Sequence, residues 1–140
     1  MRTHLIRQGV AALQALARRP VPIYAHFGVT HRCNMRCRMC DVWRSGDAST
    51  ELTAAQVDVL AGTLARAGTR WVALGGGEPF VREDLAELVG SFASRGMEVR
   101  LLTNGVGIDD QRIADVGRAG VAHVSISLDT LDAERQRIIY

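Results

Sequence analysis

The sequence predicts an α/β domain: a partial parallel (β/α) barrel, truncated after about its fourth strand and preceded by an N-terminal amphipathic helix. Three observations carry this expectation. Segments of strand period and helix period alternate along most of the chain, which implies right-handed βαβ units and a parallel sheet. One face of each strand is apolar and the other mixed, whereas a doubly wound sheet covered on both sides tends toward strands that are apolar throughout. A polar motif follows each strand, and in a parallel barrel those strand ends gather on one rim.

The first element spans residues 1–20, where Leu5, Ile6, Val10, Leu13 and Leu16 share a helical face and Arg2, Arg7, Arg18 and Arg19 take polar positions. A helix packed on the outside of the domain is expected there, ended by Pro20 and Pro22; a membrane-surface or targeting segment is the alternative. Residues 21–140 form the core domain. A strand from Pro22 to Thr30 leads into a polar loop through Thr50 that holds all three cysteines. Thr53 and Gln56, three apart, form a capping box that opens a helix carrying Val57, Leu60, Ala61, Leu64 and Ala65, closed by Gly68. A strand near Arg70 to Leu74 and a glycine turn precede a helix with Leu85, Leu88, Val89 and Phe92 on one face, stopped at Gly96. The third strand is Glu98 to Thr103, the next helix runs near Asp109 to Arg118, and the fourth strand is Val121 to Leu128. Residues after Asp129 read as the first turns of another helix.

Alternation predicts that Ala25, Phe27 and Val29 meet helices while Tyr24, His26 and Thr30 face the lumen. In the fourth strand Val124, Ile126 and Leu128 oppose His123, Ser125, Ser127 and Asp129 in the same way. Strands of this kind suit a barrel of TIM-like type, yet a full one needs roughly 200 residues or more. Ending on a fourth strand would leave an unpaired edge, so the chain alone is expected to associate or to fail in turnover.

The 140 residues, 47% hydrophobic and 23% charged, suit an ordinary globular domain. A formal charge of +2 without blocks of like charge gives no footprint for nucleic acid, leaving small molecules or peptides as partners. No apolar run approaches the roughly 20 residues that span a bilayer. The clustered, odd set of three cysteines cannot complete a disulfide framework, which favours a reducing, cytoplasmic setting and metal chemistry.

Cys33, Cys37 and Cys40 place three thiolates within eight residues, enough to wrap one compact inorganic centre. On a cube of four irons, three cysteines leave one iron open to a ligand from outside the protein. Zinc, with His31 or Asp41 as fourth ligand, and unliganded buried thiols are the alternatives. Arg32, Arg36 and Arg38 either favour the thiolates or form a solvated basic loop. Three further motifs follow strands: Gly75-Gly76-Gly77-Glu78-Pro79, Thr103-Asn104-Gly105 and Ser127-Leu128-Asp129. Each alone reads as a turn, but their convergence on one rim points to a site. Gly76 and Gly77 would let a ligand approach the backbone, and Glu78 would accept from an ammonium group.

These four motifs, in this order over residues 22 to 132, resemble the radical S-adenosylmethionine superfamily. The resemblance implies a 4Fe-4S cluster on Cys33, Cys37 and Cys40, with S-adenosyl-L-methionine chelating the open iron. It implies that Gly76, Gly77 and Glu78 hold the methionine portion, that Ser127 and Asp129 lie against the cosubstrate, and that Thr103 and Asn104 face the cosubstrate or the substrate. Met39 stands where the family often has an aromatic residue beside the adenine. The implied activity is reductive cleavage to a 5'-deoxyadenosyl radical that takes hydrogen from a small-molecule or peptide substrate. A one-electron reductant such as flavodoxin or ferredoxin is implied as partner. Two readings of another class stand beside it: a zinc-stabilised binding module, which needs His31 or Asp41 as a ligand, and an iron-sulfur electron carrier, which would normally want a fourth cysteine and has no need of Gly76-Gly77-Glu78-Pro79.

Overall fold

The computed structural model describes residues 21–139. Four parallel strands, β1 (Tyr24–Thr30), β2 (Trp71–Gly76), β3 (Glu98–Thr103) and β4 (Val121–Ile126), form one sheet in the order β1-β2-β3-β4. The connecting helices are α1 (Ala54–Ala67), α2 (Leu85–Ala93) and α3 (Asp110–Arg118), with α4 (Ala133–Ile139) after the last strand. Each strand pairs with its neighbour in sequence, which is the start of a barrel rather than a doubly wound sheet. The amphipathic helix expected over residues 1–20 lies outside the described residues.

The helix boundaries follow their local chemistry. Thr53 accepts from Gln56 N while the Gln56 side chain accepts from Thr53 N, completing the capping box. Gly68 ends α1 in the left-handed region at φ 99°, where a Cβ would be strained. Asp109 caps α3 by accepting from Arg112 N. The core lies between the sheet and helices α1 to α3: Val57 and Ala61 from α1 and Leu85, Leu88, Val89 and Phe92 from α2 cover Val72, Leu74, Val99 and Leu101. Phe92 meets the Phe27 ring at 6.3 Å between centroids. Each such side chain withdrawn from water contributes about 1.5–3 kcal/mol.

Two departures from the expected pattern matter. β1 carries an irregularity between Gly28 and Thr30, so Thr30 rather than Val29 pairs with Gly76. Both Val29 and Thr30 are buried as a result, and Thr30 turns to Glu51 instead of the lumen. The fourth strand stops at Ile126, two residues short of Leu128. Its expected helix-facing side is only thinly covered, with Val124 42%, Ile126 66% and Leu128 56% exposed.

Candidate active site

The loop after β1 is built as a closed excursion. Thr30 Oγ1 donates to Glu51 Oε1 at 2.5 Å, and Arg32 grips both oxygens of the same carboxylate through Nε at 2.8 Å and Nη2 at 3.0 Å. Arg82, almost fully buried, donates to Val29 O, Leu52 O and Asp84, and stands 3.6 Å from Glu51. The two ends of the loop are thus pinned together from inside the domain, and the cysteines ride on the excursion between them. Short 3-10 turns at Val42–Ser45 and Ala48–Thr50 fill the return path.

The Arg32 guanidinium holds the Glu51 carboxyl below the usual carboxylate range, with Thr30 adding in the same sense; Asp84 is lowered likewise by Arg82. The stabilisation from Glu51 is therefore complete above its unfolded value of about 4.3 and is lost as pH falls through its lower folded value. Glu51→Gln will lower stability by about 2 kcal/mol at pH 7, the scale of hydrogen bonds to a charged group. Urea midpoints measured against pH should show the gap between variant and parent closing in the acid range.

The second wall is the turn after β2. Its backbone runs alongside the end of β1, with Gly77 N donating to Thr30 O at 2.7 Å and Glu78 N to Arg32 O at 2.9 Å. This closeness, more than access for a ligand, is what demands glycine. A Cβ on Gly76, whose φ is +122°, would lie 2.1 Å from Thr30 O, and one on Gly77 would lie 2.1 Å from Arg32 O. Pro79 starts the short turn Pro79–Val81 that carries the chain away.

Glu78 is fastened from behind by the protein itself. Only 1% exposed, it accepts from Phe80 N at 3.0 Å, Thr103 Oγ1 at 2.8 Å and Asn104 N at 2.8 Å. Its carboxylate is committed to fastening the turn after β3, and it does not line the cavity from which an ammonium group would reach it.

One cavity of about 350 Å³ joins these walls. Cys33, Cys37 and Cys40 line it with Met39, Gly76, Gly77, Thr103, Asn104, Ser127 and Asp129, so the structure brings together every expected site residue except Glu78. His26 on β1 and Leu102 on β3 form its floor. Trp43 also lines it; the indole is flanked by the guanidinium carbons of Arg36 at 4.9 Å and Arg44 at 4.6 Å, and donates to Cys37 O at 3.4 Å. Asn34 and Glu51 were missed altogether, since nothing local marks them; their partners lie 70 and 21 residues away.

Among the described residues, no three His, Cys, Asp or Glu side chains converge closely enough to hold a single metal ion. His31 faces Ser45 at 3.4 Å, Asp41 pairs with Arg44 at 2.8 Å, and neither lines the cavity. The three thiols line one cavity without His31 or Asp41 beside them, a donor set that suits a polynuclear cluster better than tetrahedral zinc. Burial pushes the Cys37 thiol up, with Cys33, Cys40 and Asp129 adding to the rise. Of the loop arginines, Arg32 is engaged with Glu51 and Arg36 donates to the carbonyls of Cys33 and Met35.

Comparison with known proteins bears on the same residues. The family model described as the Radical SAM superfamily matches residues 27–140. A probable GTP 3',8-cyclase of Methanopyrus kandleri is 40% identical over 109 residues, covering 78% of this chain and 35% of that protein. The PqqA peptide cyclase of a Methylobacterium species is 36% identical over 115 residues, 81% of this chain and 30% of the relative. The chain thus spans about a third of the length of these curated relatives. In fold, SuiB of Streptococcus suis bound to S-adenosylmethionine superposes with a TM-score of 0.77 at 19% identity, covering 95% of this chain and 31% of that one.

Proposed function

The chain belongs to the radical S-adenosylmethionine superfamily, and from that premise we propose that its described part is the half of the active site that binds a 4Fe-4S cluster and the cosubstrate. The observation that carries this reading is the single cavity in which three cysteines face the turns after β2, β3 and β4. When bound, the cluster supplies the electron that cleaves S-adenosylmethionine into methionine and a hydrogen-abstracting 5'-deoxyadenosyl radical.

The chain's own residues have distinct tasks in this reading. Cys33, Cys37 and Cys40 would ligate three irons, which leaves the fourth for the cosubstrate. Gly76 and Gly77 present bare backbone to the methionine portion, with Glu78 acting from behind through Thr103 and Asn104. Met39, 65% exposed at the rim, would offer its thioether to the adenine. Ser127 and Asp129 close the far side. His26, on the cavity floor, is placed to orient a substrate.

The substrate class is a peptide or a small molecule: the two curated relatives are named as cyclases of a nucleotide and of a peptide, and SuiB is also known bound to its precursor peptide SuiA. Exposed Arg36 and Arg38 beside the cysteine loop suit an acidic one-electron donor such as flavodoxin or ferredoxin. Three free thiols suit the cytoplasm, and no helix of the described residues is long and apolar enough to cross a membrane.

The test is anaerobic reconstitution with iron and sulfide, followed by electron paramagnetic resonance of the reduced protein. A 4Fe-4S signal that changes on adding S-adenosylmethionine is expected, and a signal indifferent to it would overturn the open-iron reading. His31→Ala should leave iron content and signal unchanged; loss of metal in that variant would restore the zinc module.

A further inference from the structure

Two hydrogen bonds join the cysteine loop to the turn after β3, and a third within that turn closes them into a ring. Asn104 Nδ2 donates to Asn34 Oδ1, Asn34 Nδ2 donates to Val106 O, and Val106 N donates back to Asn104 Oδ1, each at 2.8 Å. Both amides are held in one orientation by this ring. Flipping Asn104 would set its oxygen against Asn34 Oδ1, and flipping Asn34 would set oxygen against the Val106 carbonyl. Asn104 is fixed from below as well, by its own N–H on the buried Glu78 carboxylate.

A primary amide has two N–H groups, and the ring uses only one of those on Asn104. The same nitrogen also lies 3.9 Å from Cys33 Sγ, and Met35 N donates to that sulfur at 3.4 Å. As a thiol, Cys33 points its S–H toward Asn34 Oδ1 at 3.9 Å; as a ligand thiolate it has no proton and can only accept. Among the described residues, no side-chain N–H reaches the sulfur of Cys37 or Cys40, while Arg36 and Trp43 address backbone carbonyls of the loop.

Resting on the reading of the cysteines as cluster ligands, we propose that the Asn34–Asn104 bridge makes Cys33 the tuned ligand. It aims an N–H dipole at one sulfur and thereby raises the cluster's reduction potential. The added electron places negative charge on the cluster and its sulfurs, so a donor fixed at a sulfur stabilises the reduced form more than the oxidised one. The rigidity of the ring keeps that donor in place, and Glu78 connects it to the turn after β2. Asn104 is thus a positioning residue for Cys33, a role distinct from direct contact with the cosubstrate.

The experiment compares the full chain with Asn104→Ser and Asn34→Ala. Serine is neutral and still accepts from the N–H two residues on, so the turn survives while the donor to Asn34 and Cys33 is lost. In an anaerobic redox titration, Asn104→Ser should hold the same iron with its reduced-to-oxidised ratio about tenfold lower at a fixed solution potential, which is 59 mV for one electron. In the cluster-free chain, amide exchange at Met35 should quicken at least tenfold in both variants, and at Val106 in Asn34→Ala, where Asn104 loses the partner that holds its amide in place. A potential within twofold of the parent ratio at equal iron content, or unchanged exchange, would overturn the bridge. A parent chain that takes up no cluster overturns the tuning together with the reading beneath it, and the exchange measurement separates that failure from a bridge that never formed.

Discussion

Gly77→Ala will cost more than about 4 kcal/mol and will abolish binding at the site, an exceptional penalty for adding one methyl group. The cause is steric and local. The new Cβ would lie 2.1 Å from the Arg32 carbonyl oxygen and 2.8 Å from that of His31, both backbone atoms with no rotamer to escape into. Relief requires moving the turn off β1, which breaks the bonds from Gly77 N to Thr30 O and from Glu78 N to Arg32 O. Glu78 would then lose its hold on Thr103 and Asn104, so damage spreads to the third motif. Gly90→Ala supplies the control: nothing lies within 4 Å of the place its new methyl group would occupy on α2, and alanine there should stabilise by about 0.4–1 kcal/mol. Urea denaturation of both variants, followed by far-ultraviolet circular dichroism, reads the contrast directly.

Cys37→Ala is expected to have the largest functional effect with almost no effect on the fold. Cys37 is half-buried and sits on the excursion between the loop's pinned ends, outside the apolar core. Its removal should leave the urea midpoint within about 0.5 kcal/mol of the parent, as for substitutions away from core packing. After anaerobic reconstitution, however, iron content and visible cluster absorbance should fall below a tenth of the parent's. Retention of a stable cluster with two cysteines would mean that a ligand from elsewhere takes the place of Cys37.

Much of the architecture was legible because its causes are local. The Glu98–Thr103 strand, the Thr53–Gln56 capping box and the stop at Gly68 arise from residues within a few positions of each other, and all three occur as expected. The motif loops were legible for a different reason: their side chains are too polar, or their glycines too dense, for ordinary strand ends. What stayed hidden depends on pairs far apart in the chain. Glu51 is an unremarkable acid in a polar loop until Thr30 and Arg32 close on it. Asn34 is one polar residue between cysteines until Asn104 meets it across the cavity. For Glu78 the motif suggests an acceptor for an ammonium group, because it shows an acid beside glycines but not the three donors buried behind it.

The order of the sheet has a consequence for how the domain comes into being. Among the described strands, β2, β3 and β4 each pair with the one made just before it, so the sheet can extend in the order of synthesis. Each βα unit emerging from the ribosome finds a preformed edge to extend, and structure can propagate from the N-terminal strand onward in the manner of a repeat array. The cysteine loop belongs to the first unit and its glycine wall to the second. Those two walls can therefore meet while later parts of the protein are still being translated.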